Sequence, residues 1–379
     1  MNLKTLNLTV LLLTILVLVP TIQIVYASPL STFYLSGGKY PQGSCVVWKE
    51  GTNYYTKNAY GSHFPSSGNT NASLVINEGL ASGGTVYLTE AFYYIDSPII
   101  ISQNGTHLTG DKNAYIWQSD GANIDYMIQV SQYLHYIRIS DFWIEGNGDN
   151  NVGSSALIVR EHCWYVTIDH MHILHWDIYG IYVKGYTGVI DIHSNYVTST
   201  QHEDVSSGIF TSGMADSDIY FNEIAGGNHS CLRMHSGGYN RIIGNKLFAT
   251  QKYYMYFDCL RETVIDGNVI GGGSPFGEDH VILLKGYGSA SNYGNIISNN
   301  IIYGSQYAID AIRLHGELGN NTIIGNYFME GGFTQHGIAE IDSCNFNLII
   351  GNNFPTGTSL SLIGANTSAV HNIGASDYP

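Results

Sequence analysis

Arg241-Ile242-Ile243-Gly244-Asn245-Lys246-Leu247-Phe248 decides how this chain reads. Its frame is an aliphatic residue, two variable residues, Asn, one variable residue and an apolar residue. The frame returns as Ile192-x-x-Asn195-x-Val197, Ile219-x-x-Asn222-x-Ile224, Ile265-x-x-Asn268-x-Ile270, Ile297-x-x-Asn300-x-Ile302, Ile323-x-x-Asn326-x-Phe328 and Ile349-x-x-Asn352-x-Phe354. Two earlier copies, Ile139-x-x-Phe142-x-Ile144 and Ile168-x-x-Met171-x-Ile173, keep the apolar frame without the Asn. Copies follow one another at roughly 23 to 32 residues. A drifting period of that size marks a repeat architecture.

The unit is too short for a four-stranded propeller blade and carries no helical periodicity. Its aliphatics are β-branched and strand-spaced. A second strand precedes each Asn phrase, as in Gly180-Ile181-Tyr182-Val183-Lys184 and Ala311-Ile312-Arg313-Leu314-His315. Two or three short strands joined by Gly, Asn and Ser bends describe one turn of a coil. A single turn cannot bury its apolar side, so turns stack at the strand spacing of about 4.8 Å. The Asn column then has two structural explanations. The amides form a ladder from turn to turn, or each Asn merely tolerates a left-handed bend.

Composition narrows the class. Of 379 residues only 12% are charged and 44% are hydrophobic, with 29 Tyr and 44 Gly. That hydrophobic share excludes a disordered chain. The formal charge of -15 argues against nucleic acid or an anionic membrane surface as partner. Residues 1–27 read as a secretory signal: Lys4, an apolar run from Leu8 to Val19, then Val25-Tyr26-Ala27 at the cleavage position. An uncleaved anchor is the alternative reading, with membrane association following from it. Sequons at Asn71, Asn104, Asn228, Asn320 and Asn366 fit an exported glycoprotein. The cysteines, Cys45, Cys163, Cys231, Cys259 and Cys344, are odd in number and lack a C-x-x-C. Cys231 and Cys259 fall in neighbouring turns, either as a pair or as free thiols.

In chain order, residues 28–70 form an N-terminal arm without repeats, in which Val46-Val47-Trp48 and Asn53-Tyr54-Tyr55 make either a small hairpin or an extended arm. Residues 71–84 predict a helix capped by Asn71 that covers the open end of the coil. The coil itself spans 85–354, with irregular first turns and about nine regular ones. Residues 355–379 form a cap or tail.

Gly83-Gly84-Thr85-Val86-Tyr87-Leu88, continuing through Tyr93-Tyr94-Ile95-Asp96-Ser97-Pro98-Ile99, resembles the first coil of the pectate-lyase-like superfamily, and so does Leu108-Thr109-Gly110-Asp111. The resemblance covers roughly residues 70 to 355. It implies an all-β fold, a right-handed single-stranded parallel β-helix. Tyr165-Val166-Thr167-Ile168-Asp169-His170 is similar to the Trp-Ile-Asp-His stretch of the lyases, with Thr167 where the Trp would stand. The catalytic Arg motif of those lyases is missing, and so are the Asn-Thr-Asp, Asp-Asp and Arg-Ile-Lys motifs of polygalacturonases. The resemblance therefore speaks to fold and leaves activity to the site.

Alternating the strand before each Asn phrase yields two outward columns. One reads Ile158, Tyr182, Phe210, Arg233, Tyr256, Leu283, Arg313, Glu340. The other reads Arg160, Lys184, Ser212, His235, Asp258, Lys285, His315, Asp342. Five of the chain's 15 Lys and Arg residues fall here. Tyr182, Phe210 and Tyr256 beside Arg160 and Lys184 suit a sugar chain, which has apolar C–H faces and a polar rim. The alternative is a solvated sheet whose charges pair between turns. Two clusters have catalytic composition. His235, Asp258 and Lys285 occupy successive turns with Arg233 alongside; between two cations, Asp258 is expected to act as base, nucleophile or ligand. Arg313 and His315 face Glu340 and Asp342, two carboxylates about 7 Å apart on a strand, near the spacing of an inverting glycosidase. No metal site is assigned. Glu203-Asp204 and Glu278-Asp279 with His280 leave Ca²⁺ open as a cofactor.

Two functions follow. One is a secreted protein that binds polysaccharide and cleaves it, as lyase or glycoside hydrolase. The other is a non-catalytic cell-surface adhesin or an envelope or filament protein. A tail-spike role fits poorly with the signal segment.

Overall fold

The computed structural model describes residues 44–199, 206–250, 252–271, 280–287, 292–303, 308–329, 335–364 and 366–376. The signal segment and the acids Glu203, Asp204, Glu278 and Asp279 lie outside them. The chain is an all-β parallel solenoid of about 10 turns with one short helix.

Each turn contributes three strands. Ser230–Gly238, Arg241–Ile243 and Lys246–Phe248 pair in parallel with Tyr253–Arg261, Val264–Asp266 and Val269–Ile270 of the next turn. The register aligns Leu232 with Met255, Ile242 with Ile265 and Leu247 with Ile270. All six are fully buried. The apolar frame of the repeat is thus three inward columns, and their stacking is the core. Parallel strands joined this way take the right-handed crossover.

The Asn column is a ladder. Asn195, Asn222, Asn245, Asn268, Asn300, Asn326 and Asn352 each donate Nδ2 to the Oδ1 one turn on, ending at Asn372, over 2.9–3.1 Å. Each accepting Oδ1 also takes the backbone N–H of the preceding Asn. The left-handed residue is the one before the Asn: Ser194, Phe221, Gly244, Gly267, Asn299, Gly325 and Gly351 all have φ between 52° and 64°. Bend tolerance therefore belongs to that neighbour, and the amide itself serves the ladder.

At the first end, the helix Ala72–Ala81 starts at Asn71, whose side chain accepts from Leu74 N at 3.1 Å. It buries Ala72, Val75, Ile76 and Leu80. Its approach is close enough that a Cβ on Gly79 would lie 2.7 Å from Cys45 Sγ. The expected hairpin forms from Cys45–Glu50 and Asn53–Asn58. Its first strand also pairs in parallel with Thr85–Leu88. At the far end the coil passes residue 354: the strand Asn353–Ser361 runs through it, and Ser368–Val370 and Ile373–Ser376 add further pairing. All five cysteines are free thiols. Cys231 and Cys259 cannot pair because Cys231 sits between Ser230 and Leu232, which align with Tyr253 and Met255, far along the strand from Cys259.

Candidate functional site

The expected columns exist through seven turns. Ile158 aligns with Tyr182, Tyr182 with Phe210, Phe210 with Arg233, Arg233 with Tyr256, Tyr256 with Leu283 and Leu283 with Arg313. Beside them run Lys184, Ser212, His235, Asp258, Lys285 and His315 in the same register. The next turn departs from expectation. Arg313 aligns with Ala339 and Leu314 with Glu340, so Glu340 points inward and is fully buried. It accepts from Asn347 Nδ2 and Thr367 Oγ1 at 2.8 Å, and from the backbone of Gly364 at 3.0 Å. It is an internal acceptor, so Glu340 and Asp342 do not stand together on the outward face as expected. Asp342 lies past the strand end with φ of 67° and meets His315 Nε2 at 2.9 Å.

Ring geometry corrects the picture of an aromatic platform. Tyr182 and Phe210 stack on each other, 4.9 Å apart and 11° from parallel. The Arg233 guanidinium then lies between Phe210 and Tyr256, 4.9 and 5.5 Å from their centroids. Ring normals run along the coil axis because successive rings are only one strand spacing apart. The faces are occupied by neighbours, and the edges, hydroxyls and guanidinium remain for a ligand. Burial, then the neighbouring Tyr179, pushes the Tyr182 phenol up to about 12, so it stays an O–H donor. Of the two basic residues expected beside it, Arg160 donates to Gln129 Oε1 at 3.0 Å and Lys184 pairs with Glu161 at 2.7 Å.

The first cluster assembles as expected by register. His235 Nδ1 lies 3.6 Å from Asp258 Oδ2, an ion-pair distance too long for a hydrogen bond. Asp258 is only 5% exposed, and its Oδ1 has no hydrogen-bond partner among the described residues; neither has the buried Nε of Arg233. Tyr256 is raised by burial first and then by the Asp258 carboxylate.

The second cluster has a different centre. Asp310, fully buried, accepts from Arg313 Nε at 2.7 Å and from His336 Nδ1 at 2.9 Å, with His280 Nδ1 at 3.5 Å. Asp310 and His336 are aligned partners of adjacent turns. Burial, reinforced by Arg313, pushes His280 down to about 4; Asp310 opposes this and is outweighed. Asp310 and His336 stand outside the expected columns, and their only signal in the sequence is the register of the strand starts. Among the described residues no group of three or more His, Cys, Asp or Glu could hold a metal ion.

With this geometry in place, comparison with solved structures assigns the class: the chain is a parallel β-helix protein. PfbA, a surface adhesin of Streptococcus pneumoniae, matches with 14% identity and TM-score 0.66, over 81% of this chain and 88% of that one. The Dettilon tailspike protein matches with 14% identity and TM-score 0.64, over 80% of this chain and 63% of that one. The A-module of the Azotobacter vinelandii mannuronan C-5 epimerase AlgE4 matches with 16% identity and TM-score 0.55, over 76% and 91%. At such identities the likeness concerns the fold. No family model matches the sequence, and neither does any curated protein.

Proposed function

We propose that this protein binds a polysaccharide along the column face from Tyr182 to His315 and cleaves it there, outside the cell. The observation that carries the reading is the pair of orphaned polar atoms. Asp258 Oδ1 and Arg233 Nε are buried on adjacent turns of one face without a hydrogen bond of normal geometry among the described residues, although the Tyr256 hydroxyl interacts with the Asp258 carboxylate. Buried polar groups are normally satisfied, and leaving one unpaired costs about 1–3 kcal/mol. A side-chain rotation on ligand binding would expose both, a ligand hydroxyl then donating to Asp258 and a ligand oxygen accepting from Arg233. In this reading Asp258 takes the proton, His235 and Lys285 move or balance it, and Arg313 and His315 hold the chain further along. Support also comes from the neighbours' descriptions, which name an epimerase acting on mannuronan and a tailspike. The second reading, glycan binding without turnover, is favoured by the 3.6 Å gap between His235 and Asp258, and one neighbour is described as an adhesin.

The test is mass spectrometry of products released from a panel of neutral and acidic polysaccharides, with Asp258→Asn as control. Unsaturated fragments identify elimination and saturated fragments hydrolysis. Turnover preserved in Asp258→Asn removes this centre from the reaction. Binding without products, in a folded protein, selects the second reading.

A further inference from the structure

A cleft of about 380 Å³ opens away from the column face, lined by Lys112, Asn113, Asp141, Trp143, His170 and His172. Asp141 and His170 hold the same bend position in successive turns, both left-handed with φ of 69° and 54°. Trp143 and His172 are aligned partners whose rings stack 4.0 Å apart. They are the middle of an aromatic run of Phe92, Tyr115, Trp143, His172 and Tyr196, in which Phe92–Tyr115 and Trp143–His172 stack and the other two contacts are tilted. Trp143 Nε1 also donates to Lys112 O at 2.6 Å, fixing the Lys112 backbone against the ring edge.

His170 is oriented from behind. Its Nδ1 lies 2.8 Å from Asp169 Oδ2, and Asp169 is 1% exposed. Arg138 grips the same carboxylate through Nε at 2.9 Å and Nη2 at 2.7 Å. Burial alone would raise Asp169, but these hydrogen bonds outweigh it and hold the carboxyl below its ordinary value. An ionised Asp169 requires the Nδ1 proton on His170. Nε2 is then the ring nitrogen left to meet a ligand, on a side chain 56% exposed.

The rim therefore mixes acceptors, Asp141 and His170 Nε2, with donors, the Lys112 ammonium and the Asn113 amide. Phosphate or sulfate would meet the Asp141 carboxylate, and a bare cation would meet Lys112. Sugar hydroxyls donate and accept at once, and the apolar edges of the stacked Trp143 and His172 rings give a C–H group a dry side to rest on. We propose that this cleft is a second carbohydrate site, binding one neutral sugar ring between the Trp143–His172 wall and the polar rim. Arg138 and Asp169 act as positioning residues for His170. The proposal stands on its own residues and does not require turnover at Asp258.

The experiment is saturation-transfer NMR on the full chain with the methyl glycosides of glucose, galactose, mannose and N-acetylglucosamine, with inorganic phosphate as a control. Asp141→Asn and His170→Asn keep a residue type that tolerates the left-handed bend. We expect signal from at least one glycoside and an affinity at least tenfold weaker in either variant. In wild-type protein the bound glycoside should slow hydrogen exchange in peptides covering 141–143 and 170–172 and leave 233–258 unchanged, which decides the matter even where a variant misfolds. No signal from any glycoside, wild-type affinity in both variants, or protection produced by phosphate alone overturns the proposal.

Discussion

Replacing Asn268 with Ala tests the ladder where it is most enclosed. The side chain is completely buried. Its Nδ2 donates to Asn300 Oδ1 and to Ile242 O, each at 2.9 Å. Its Oδ1 accepts from Asn245 N at 2.8 Å and from Asn245 Nδ2 at 3.0 Å. Truncation strands the Asn245 N–H and removes a donor from the Ile242 carbonyl. Two stranded buried groups at about 1–3 kcal/mol each give roughly 2–6 kcal/mol, with about 4 as the central expectation. Asn372→Ala is the matched control. It ends the same ladder, accepting from Asn352 N and Nδ2 at 3.1 Å, but it is partly exposed. Water can replace its bonds, so its loss should be about 1 kcal/mol. The assay is urea unfolding by far-ultraviolet circular dichroism, with hydrogen exchange to locate the loosened turns, since stacked repeats open by neighbours. Equal losses at the two positions, or a loss under about 1 kcal/mol at Asn268, would refute a ladder that bears structural load.

Three further outcomes are expected. Glu340→Ala should destabilise the chain by about 3 kcal/mol through the N–H and hydroxyl groups it leaves unpaired, while turnover or glycan binding per folded molecule stays at wild-type level; a selective loss of activity with unchanged unfolding would return Glu340 to the site. Burial, with Arg233 and Lys252 adding, pushes His229 down to about 3, and His280 falls to about 4. The unfolded chain therefore binds protons first as pH drops, so stability is full above about 6.5 and falls below it, by up to about 1.4 kcal/mol per pH unit for each histidine. A urea midpoint that stays flat from pH 7.5 to pH 5 would contradict this, and His229→Phe should shallow the slope. Tyr182→Phe keeps the stack on Phe210 and removes only the hydroxyl edge; glycan affinity at the column face should fall about fivefold, the equivalent of roughly 1 kcal/mol, and unchanged affinity would show that the edge makes no contact.

The fold was legible because a solenoid writes its register into the sequence as a period. Once Ile242, Asn245 and Leu247 are aligned with Ile265, Asn268 and Ile270, every inward column follows, and so do the outward neighbours as far as Arg313. Legibility ended where a local contact overruled alternation. Ile341 is more apolar than Glu340, so hydrophobicity alone turns Glu340 outward. What draws it in is Asn347, the end of a second amide run that continues from Asn295 through Asn321. That run was visible as an Asn five residues ahead of Asn300, Asn326 and Asn352, but its meaning depends on a buried acceptor at the end. Asp310 shows the same limit. Its partners His280 and His336 lie about a turn away on either side, and nothing in its own strand marks it. Asp169-His170 was conspicuous as a phrase, yet its chemistry depends on Arg138, 31 residues earlier in the chain. Residue type was also a poor guide to presentation. Tyr182, Phe210 and Tyr256 suggest open ring faces, whereas the spacing of parallel strands turns each ring toward its neighbour and leaves an edge outside. On the proposed reading, a ligand on this face would be held mainly by hydrogen bonds to edges and by the Arg233 and Asp258 atoms that lack partners among the described residues. That requirement points to a hydroxyl-rich polymer more directly than the aromatic count does.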